Sequence, residues 1–91
     1  MAARCARATI RNARGLHARA SAKFAAVAGS FDAEITVACG EYRVSGLSIM
    51  GLMMLGAGVG DDIEIAADGP QAADAVATLL RLVEDRFGEK E

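Results

Sequence analysis

Apolar and polar positions alternate along three stretches of the chain, which is the period of a strand with one buried face. The clearest stretch runs over residues 32–45, where Gly40 and Glu41 fit a two-residue loop between two strands. Residues 4–10 and 61–68 show the same alternation. The sequence therefore predicts four strands, and the middle two form a β-hairpin.

Two other stretches repeat their apolar residues at the spacing of a helix. Residues 18–28 are followed by Gly29, which predicts a first helix that begins at or just after His17. Residues 48–55 open on Ser48, a favoured N-cap residue, and are apolar almost throughout. They predict a short second helix with more Met and Leu than one packed face requires.

A third helix is predicted within residues 69–88, after the last strand. Its apolar stripe consists of Val76, Leu79, Leu80, Val83 and Phe87. Pro70 stands where the first turn of a helix accepts proline most readily. The element order is then β-α-β-β-α-β-α, which favours an α+β fold with helices packed on one side of a sheet. A chain of 91 residues suffices for one such domain, spanning 1–91.

Charge is segregated along the chain. Every charged residue before Asp32 is basic, whereas most acidic residues lie in the last third, and the net charge is -2. The basic N-terminal part of the chain could bind nucleic acid or an acidic protein. We do not expect nucleic acid to be the partner, because the chain has no aromatic pair of the kind that stacks RNA bases and is acidic overall.

The two cysteines and the apolar runs exclude several classes of protein. Cys5 and Cys39 form no CxxC pair, and with a single histidine they predict neither a metal site nor a cofactor site. We expect both to be buried thiols in strands. The best membrane candidate, residues 49–59, contains three glycines and is shorter than the roughly 20 residues that span a bilayer. With no secretory signal either, we expect a soluble, cytoplasmic protein that does not bind membranes.

The single histidine, His17, lies at the predicted start of the first helix. A helix N-terminus presents free backbone N–H groups and a partial positive charge, so it attracts anions, and phosphate above all. The guanidinium group of Arg19 adds a positive charge and several N–H donors within reach of the same anion. No carboxylate is nearby in the sequence, so the segment suits a histidine that holds a phosphoryl group without helping water to remove it. The alternative is an N-cap or surface histidine without chemistry.

Residues 15–24, GLHARASAKF, resemble the active-site segment of the HPr family, the histidine-containing phosphocarriers of the phosphoenolpyruvate-dependent phosphotransferase system. Residues 48–56, SIMGLMMLG, resemble the family's segment around a regulatory serine. The resemblance covers nearly the whole chain. It implies a two-layer open-faced sandwich, with three helices on one face of a four-stranded antiparallel sheet.

The resemblance also implies roles for individual residues. His17 matches the histidine that takes phosphate on Nδ1 from Enzyme I and passes it to an Enzyme IIA domain, and Arg19 matches the arginine that steadies the phosphoryl group. Ser48 matches the serine that an HPr kinase phosphorylates in some branches, although a serine there also serves simply as an N-cap. Partner docking is expected at Ala18, Arg19, Ala22, Lys23, Ile49, Met50 and Met53, with Leu52 and Leu55 in the core.

One position departs from the family, and two other functions stay open. Ala20 stands where the family usually has proline. Because proline stiffens the first helical turn, alanine should leave this turn looser and alter the transfer rate. Within the family, the segments LMML and DGPQAADA favour a regulatory, nitrogen-related carrier over a sugar-transport carrier. From another class, the chain could be a non-catalytic α+β interaction module, which would take no covalent phosphate.

Overall fold

Four strands form one antiparallel sheet in the order β1-β4-β2-β3. The computed structural model describes residues 3–91, and its strands are β1 (Ala3–Thr9), β2 (Glu34–Cys39), β3 (Tyr42–Ser45) and β4 (Asp62–Asp68). The predicted hairpin is confirmed, since β2 pairs with β3 and Cys39 lies opposite Tyr42. The last strand, β4, is central, and its Ile65 lies between Ala6 of β1 and Val37 of β2.

Three helices pack against one face of this sheet, as expected. They are α1 (Ala18–Ala28), α2 (Ile49–Met54) and α3 (Ala72–Glu84), and a 3₁₀ turn (Arg86–Gly88) follows α3. The helix α3 contacts β1 and β4, while α1 contacts both α2 and α3. Within residues 3–91, no helix has the length and apolar character needed to cross a bilayer.

The core lies between the sheet and the helices, where the predicted apolar positions meet. In β4, Ile63 and Ile65 are buried while the terminal Asp62 is exposed, as the alternation requires. Phe24 of α1 and Leu79 of α3 have no exposed surface. Burying a side chain of this size contributes roughly 1.5–3 kcal/mol, so this packing stabilises α1 and α3 in the helical layer.

The prediction that Pro70 occupies the first turn of the third helix is wrong. The helix begins at Ala72, and Pro70 lies in the preceding turn. The reason is a contact between Gln71 and Asp32, which lies in the loop between α1 and β2. The backbone N–H of Gln71 donates to Asp32 O (3.0 Å), and the Gln71 side chain accepts from the Asp32 N–H (2.6 Å). These two bonds hold Gln71 outside the helix, so the first helical residue is Ala72, the residue after Gln71.

Phe87 also lies outside the third helix, although it continues the apolar stripe. The helix ends at Glu84, and Arg86 and Phe87 adopt left-handed backbone angles, with φ of 57° and 55°. Such angles are uncommon for residues other than glycine and are held only where other contacts stabilise them. Phe87 is fully buried, so the turn exists because it returns this ring to the core.

The expectation that both cysteines are buried is wrong. Cys5 and Cys39 do lie in strands, but Cys5 is exposed and Cys39 is only partly buried. Cys5 pairs with Ala66, which faces away from the helices because its neighbours Ile65 and Ala67 point into the core. Alternation placed Cys5 on a strand correctly, but the helices cover only the other face of the sheet.

Candidate functional site

His17 is the N-cap of α1. Its backbone is extended, with φ -74° and ψ -179°, and its carbonyl accepts from the Ser21 N–H at 2.8 Å. Its ring atom Nδ1 accepts a hydrogen bond from the backbone N–H of Arg19 at 3.3 Å. Nδ1 therefore carries a lone pair and faces the N-terminus of the helix, and the ring proton belongs on Nε2. The predicted helix start is confirmed.

The residues before His17 are held against the loop that follows α2. Leu16 is buried and its N–H donates to Ala57 O at 3.0 Å, while the Ser21 hydroxyl donates to Leu16 O. Gly15 has a φ of +63°, and a Cβ there would lie 2.4 Å from Ala57 O. Only glycine allows this close approach, so Gly15 helps to position His17, which follows two residues later.

The expectation that no carboxylate lies near His17 is wrong. Oε2 of Glu89 is 2.5 Å from Nε2 of His17, and both side chains are about four-fifths buried, with 21% of His17 and 18% of Glu89 exposed. The carboxylate sits at the ring nitrogen opposite Nδ1. It is therefore hydrogen-bonded to the imidazole, and is not placed beside Nδ1 where it could activate water.

Glu89 reaches the histidine because residues 86–91, which we name the closing segment, fold back over the start of α1. The ammonium group of Lys23 donates to Phe87 O at 2.7 Å, and the Ala13 N–H donates to Glu91 O at 2.9 Å. His17 and Glu89 are 72 positions apart in the chain. No local spacing connects residues so far apart, so sequence patterns could not reveal this pair.

Asn12 joins the closing segment to the loop before His17. It is fully buried, and its Nδ2 donates to Gly15 O at 2.9 Å and to Oε1 of Glu89 at 3.1 Å. Both of these partners accept hydrogen bonds, which requires the amide nitrogen to face them. Its Oδ1 is buried and has no hydrogen-bond partner among residues 3–91. Asn12 was not predicted as a site residue, because an asparagine in a loop usually indicates only a turn.

The site is a cleft whose lining carries four basic side chains and two acidic ones, Glu89 and Glu91. His17 and Glu89 open onto a cleft of about 590 Å³, whose basic lining residues are Arg14, Arg19, Lys23 and Lys90. Burial raises the pKa of Glu89, but hydrogen bonds from His17 and Asn12 and the positive charge of Arg14 outweigh it. The pKa of Glu89 is therefore lowered from its usual 4.5, and Glu89 is ionised at neutral pH.

Ser48 caps the second helix, as predicted. Its hydroxyl accepts a hydrogen bond from the Gly51 N–H at 2.9 Å. Gly51 is needed for close packing here, since a Cβ on it would lie 3.0 Å from the Ser48 hydroxyl and 3.1 Å from Cβ of Val44. The capping role of Ser48 is thus part of the structure, whether or not the serine is ever phosphorylated.

The exposed side chains of this helix and of the residue before Ser48 form an apolar patch. Its members are Leu47, Ile49, Met50, Met53 and Met54. The predicted division of the helix is confirmed, because Leu52 and Leu55 are buried while the three predicted docking residues are exposed. Met54, 80% exposed, and Leu47 were not predicted. They could have been found from the excess of apolar residues in this segment.

The first helix presents its predicted docking residues to solvent. Ala18, Arg19, Ala22 and Lys23 are all exposed, although Lys23 is also bonded to the closing segment. Ala20, where the family usually has proline, is fully buried, and its N–H has no acceptor among residues 3–91. Alanine therefore leaves one more free N–H in the first turn than proline would.

Comparison with known proteins agrees with this architecture. The family model described as "PTS HPr component phosphorylation site" matches residues 5–85. The phosphocarrier protein HPr of Cupriavidus necator is 46% identical over 83 residues, covering 91% of this chain and 93% of the relative. The phosphocarrier protein NPr of Shewanella violacea is 44% identical over 81 residues, covering 89% of each chain. The crystal structure of HPr-C-His from Thermoanaerobacter tengcongensis matches with a TM-score of 0.92 at 35% identity, covering 97% of this chain and 99% of that one.

The open-faced sandwich and these relatives place the protein among the small phosphocarriers of the phosphotransferase system. The chain belongs to the HPr family, as the resemblance of its two segments had indicated. Family membership implies partners from that system, such as Enzyme I and Enzyme IIA.

Proposed function

We propose that this protein accepts a phosphoryl group on Nδ1 of His17 from phosphorylated Enzyme I and passes it to an Enzyme IIA domain. The observation that carries the proposal is the lone pair of Nδ1, which faces the N-terminus of α1 in a cleft with more basic than acidic side chains. The Nδ1 lone pair forms the N–P bond while the bond from phosphorus to the donor atom breaks, and that electron pair leaves with the donor. The second transfer reverses these steps toward Enzyme IIA.

The start of α1 supplies groups that suit a bound phosphoryl group. Once Nδ1 is phosphorylated it no longer accepts from the Arg19 N–H, so that N–H becomes available to phosphoryl oxygens together with that of Ala18. Helix N-termini bind phosphate through such N–H groups. The guanidinium of Arg19 lines the same cleft and adds a charge-assisted donor.

The apolar patch and the exposed face of α1 are the surface that we assign to docking. The two helices are in contact, so the patch and the exposed face of α1 belong to neighbouring elements. Flexible methionine side chains adapt to unlike partners, as a carrier must when it meets a donor and an acceptor in turn. Exposed Arg19 and Lys23 would favour acidic partners and speed their encounter.

Ser48 is the residue we assign to regulation, through an HPr kinase where the cell has one. A phosphate there would bring a charge of about -1.5 to -2 to the N-terminus of α2, which a helix tolerates. The same charge would stand beside exposed Ile49 and would oppose docking of an acidic, partly apolar partner. The expected effect is weaker phosphoryl transfer with an intact fold.

A regulatory role without sugar transport is the second candidate within the family. It is favoured by the relative named NPr and by the segments LMML and DGPQAADA. Both candidates use the same chemistry at His17 and differ in the Enzyme IIA that accepts the phosphoryl group. Transfer from the phosphorylated protein to purified sugar-specific and regulatory Enzyme IIA domains distinguishes them by rate. We propose either role for a single cytoplasmic domain spanning residues 1–91.

The direct test is phosphorylation in a purified system. The protein is incubated with phosphoenolpyruvate and Enzyme I, and its mass is measured at neutral pH and after acid treatment. One acid-labile phosphoryl group is expected on the wild type and none on His17→Ala, with Ser48→Ala as a control that keeps the histidine. A wild type that gains no phosphate would support the interaction module instead.

A further inference from the structure

The carboxylate of Glu89 has a role that the phosphocarrier proposal alone does not assign. We propose that Glu89 is a positioning residue for phosphoryl transfer, which holds the imidazole proton on Nε2 and stabilises the phosphorylated ring. The inference rests on the proposed function of His17. It concerns a residue in the closing segment, outside both segments that carry the family resemblance.

The two ring nitrogens of His17 have partners that demand the same tautomer. The Arg19 N–H can donate only to an unprotonated Nδ1, at 3.3 Å. An ionised Glu89 only accepts hydrogen bonds, so its Oε2 at 2.5 Å requires a proton on Nε2. A flip of the ring would break both contacts together. Glu89 thus keeps the Nδ1 lone pair available on the side that faces the helix N-terminus.

Other contacts also fix the position of the Glu89 side chain, so that position does not depend on the hydrogen bond to His17 alone. Its Oε1 accepts from Nδ2 of buried Asn12, and the same Nδ2 donates to Gly15 O two residues before the histidine. Buried Phe87 anchors the chain two residues before Glu89, and Lys23 donates to the Phe87 carbonyl. Each carboxylate oxygen therefore has its own donor, which leaves the side chain one position.

The contact becomes stronger when Nδ1 carries a phosphoryl group. The ring then has phosphorus on Nδ1 and a proton on Nε2, so it gains positive charge, and the proton stays where it was throughout the step. Glu89 is ionised before and after this step, and its hydrogen bond to a positively charged ring is stronger than its bond to a neutral ring by enough to shift an equilibrium roughly ten-fold. Glu89 therefore favours the phosphorylated state, and it does so from the side of the ring away from the phosphorus.

The test compares Glu89→Gln and Glu89→Ala with wild type, using Glu84→Gln as a control. Glu84 is an exposed residue of α3 whose carboxylate has no hydrogen-bond partner among residues 3–91. Two quantities are measured in protein with ¹⁵N-labelled histidine: the exchange of the Nε2 proton with water, by NMR, and the equilibrium constant for phosphoryl transfer from Enzyme I. Circular dichroism checks that each variant is folded.

Both Glu89 variants should exchange the Nε2 proton faster than wild type and should lower the equilibrium constant roughly ten-fold, while Glu84→Gln matches wild type. The proposal is overturned if folded Glu89→Gln keeps both wild-type values, or if Glu84→Gln shows the same changes. The two proposals fail in different ways. If wild type takes no phosphate at all, the proposed function fails, whereas the Glu89 proposal alone fails if wild type is phosphorylated and Glu89→Gln behaves identically.

Discussion

Asn12 links the loop before His17 to Glu89, so replacing it should weaken the fold and the site together. Asn12→Ala removes a neutral hydrogen bond to Gly15 O and a second one to the ionised carboxylate of Glu89. These are worth about 1 kcal/mol and about 1.5–3 kcal/mol. Removing the buried, unpartnered Oδ1 returns about 1 kcal/mol. The net loss in the free energy of unfolding is therefore about 1.5–3 kcal/mol.

This loss is measured by urea denaturation and by thermal melting, followed by circular dichroism. For a domain of this size the melting temperature should fall by roughly 6–24 °C. In wild type the Ala13 N–H is bonded to Glu91 O, so hydrogen exchange at Ala13 should also accelerate as the closing segment is released. A loss below about 0.5 kcal/mol, the range of ordinary surface substitutions, would refute this reasoning.

Asn12→Asp is the matched variant, because it keeps the shape of the side chain and changes its charge. At neutral pH it faces the carboxylate of Glu89 and the carbonyl of Gly15 with no donor, so it should be less stable than Asn12→Ala. Its stability relative to Asn12→Ala should recover as acid protonates the pair. If Asn12→Asp equals wild type at pH 7, the amide is not the donor that the structure assigns.

The other predictions concern three single positions. Ser48→Asp keeps a side chain that can cap α2 but adds charge, so it should transfer phosphate from Enzyme I more slowly than wild type with little change in melting temperature; equal transfer rates would remove the regulatory proposal. Ala20→Pro restores the family's residue where the N–H has no acceptor among residues 3–91, so it should stabilise the protein by about 0.4–1 kcal/mol, and a lower melting temperature would contradict this. The pKa of Glu89 is lowered on folding, so its contribution to stability is present above pH 4.5 and is lost as the pH falls through the folded-state value. Urea denaturation from pH 7 to pH 3 should therefore show the stability advantage of wild type over Glu89→Gln shrinking in acid, and an advantage independent of pH would count against the ionised contact.

Local patterns predicted the elements well because each one obeys a rule that acts within a few residues. Alternation placed all four strands, and the hairpin loop at Gly40 followed from its spacing. The caps at His17 and Ser48 were predicted because their side chains bond N–H groups only two or three residues ahead. The exposure of Ile49, Met50 and Met53 followed from an excess of apolar residues that one packed face could not absorb.

The errors share a cause, which is contact between residues far apart in the chain. Asp32 holds Gln71 outside the third helix, so Pro70 does not open it. The helices cover one face of the sheet only, so Cys5 is exposed. The central position of β4 likewise depends on which strands pair, and alternation does not encode pairing.

The sequence by itself determined the set of strands and helices and the placement of one histidine at a helix N-terminus beside Arg19. It also carried the two segments that indicated the HPr family. Only the tertiary structure decided that a carboxylate bonds Nε2 of that histidine. The reason is physical: burial of Phe87 drives a left-handed turn that returns the chain to α1, and this turn brings Glu89 to a histidine 72 residues earlier.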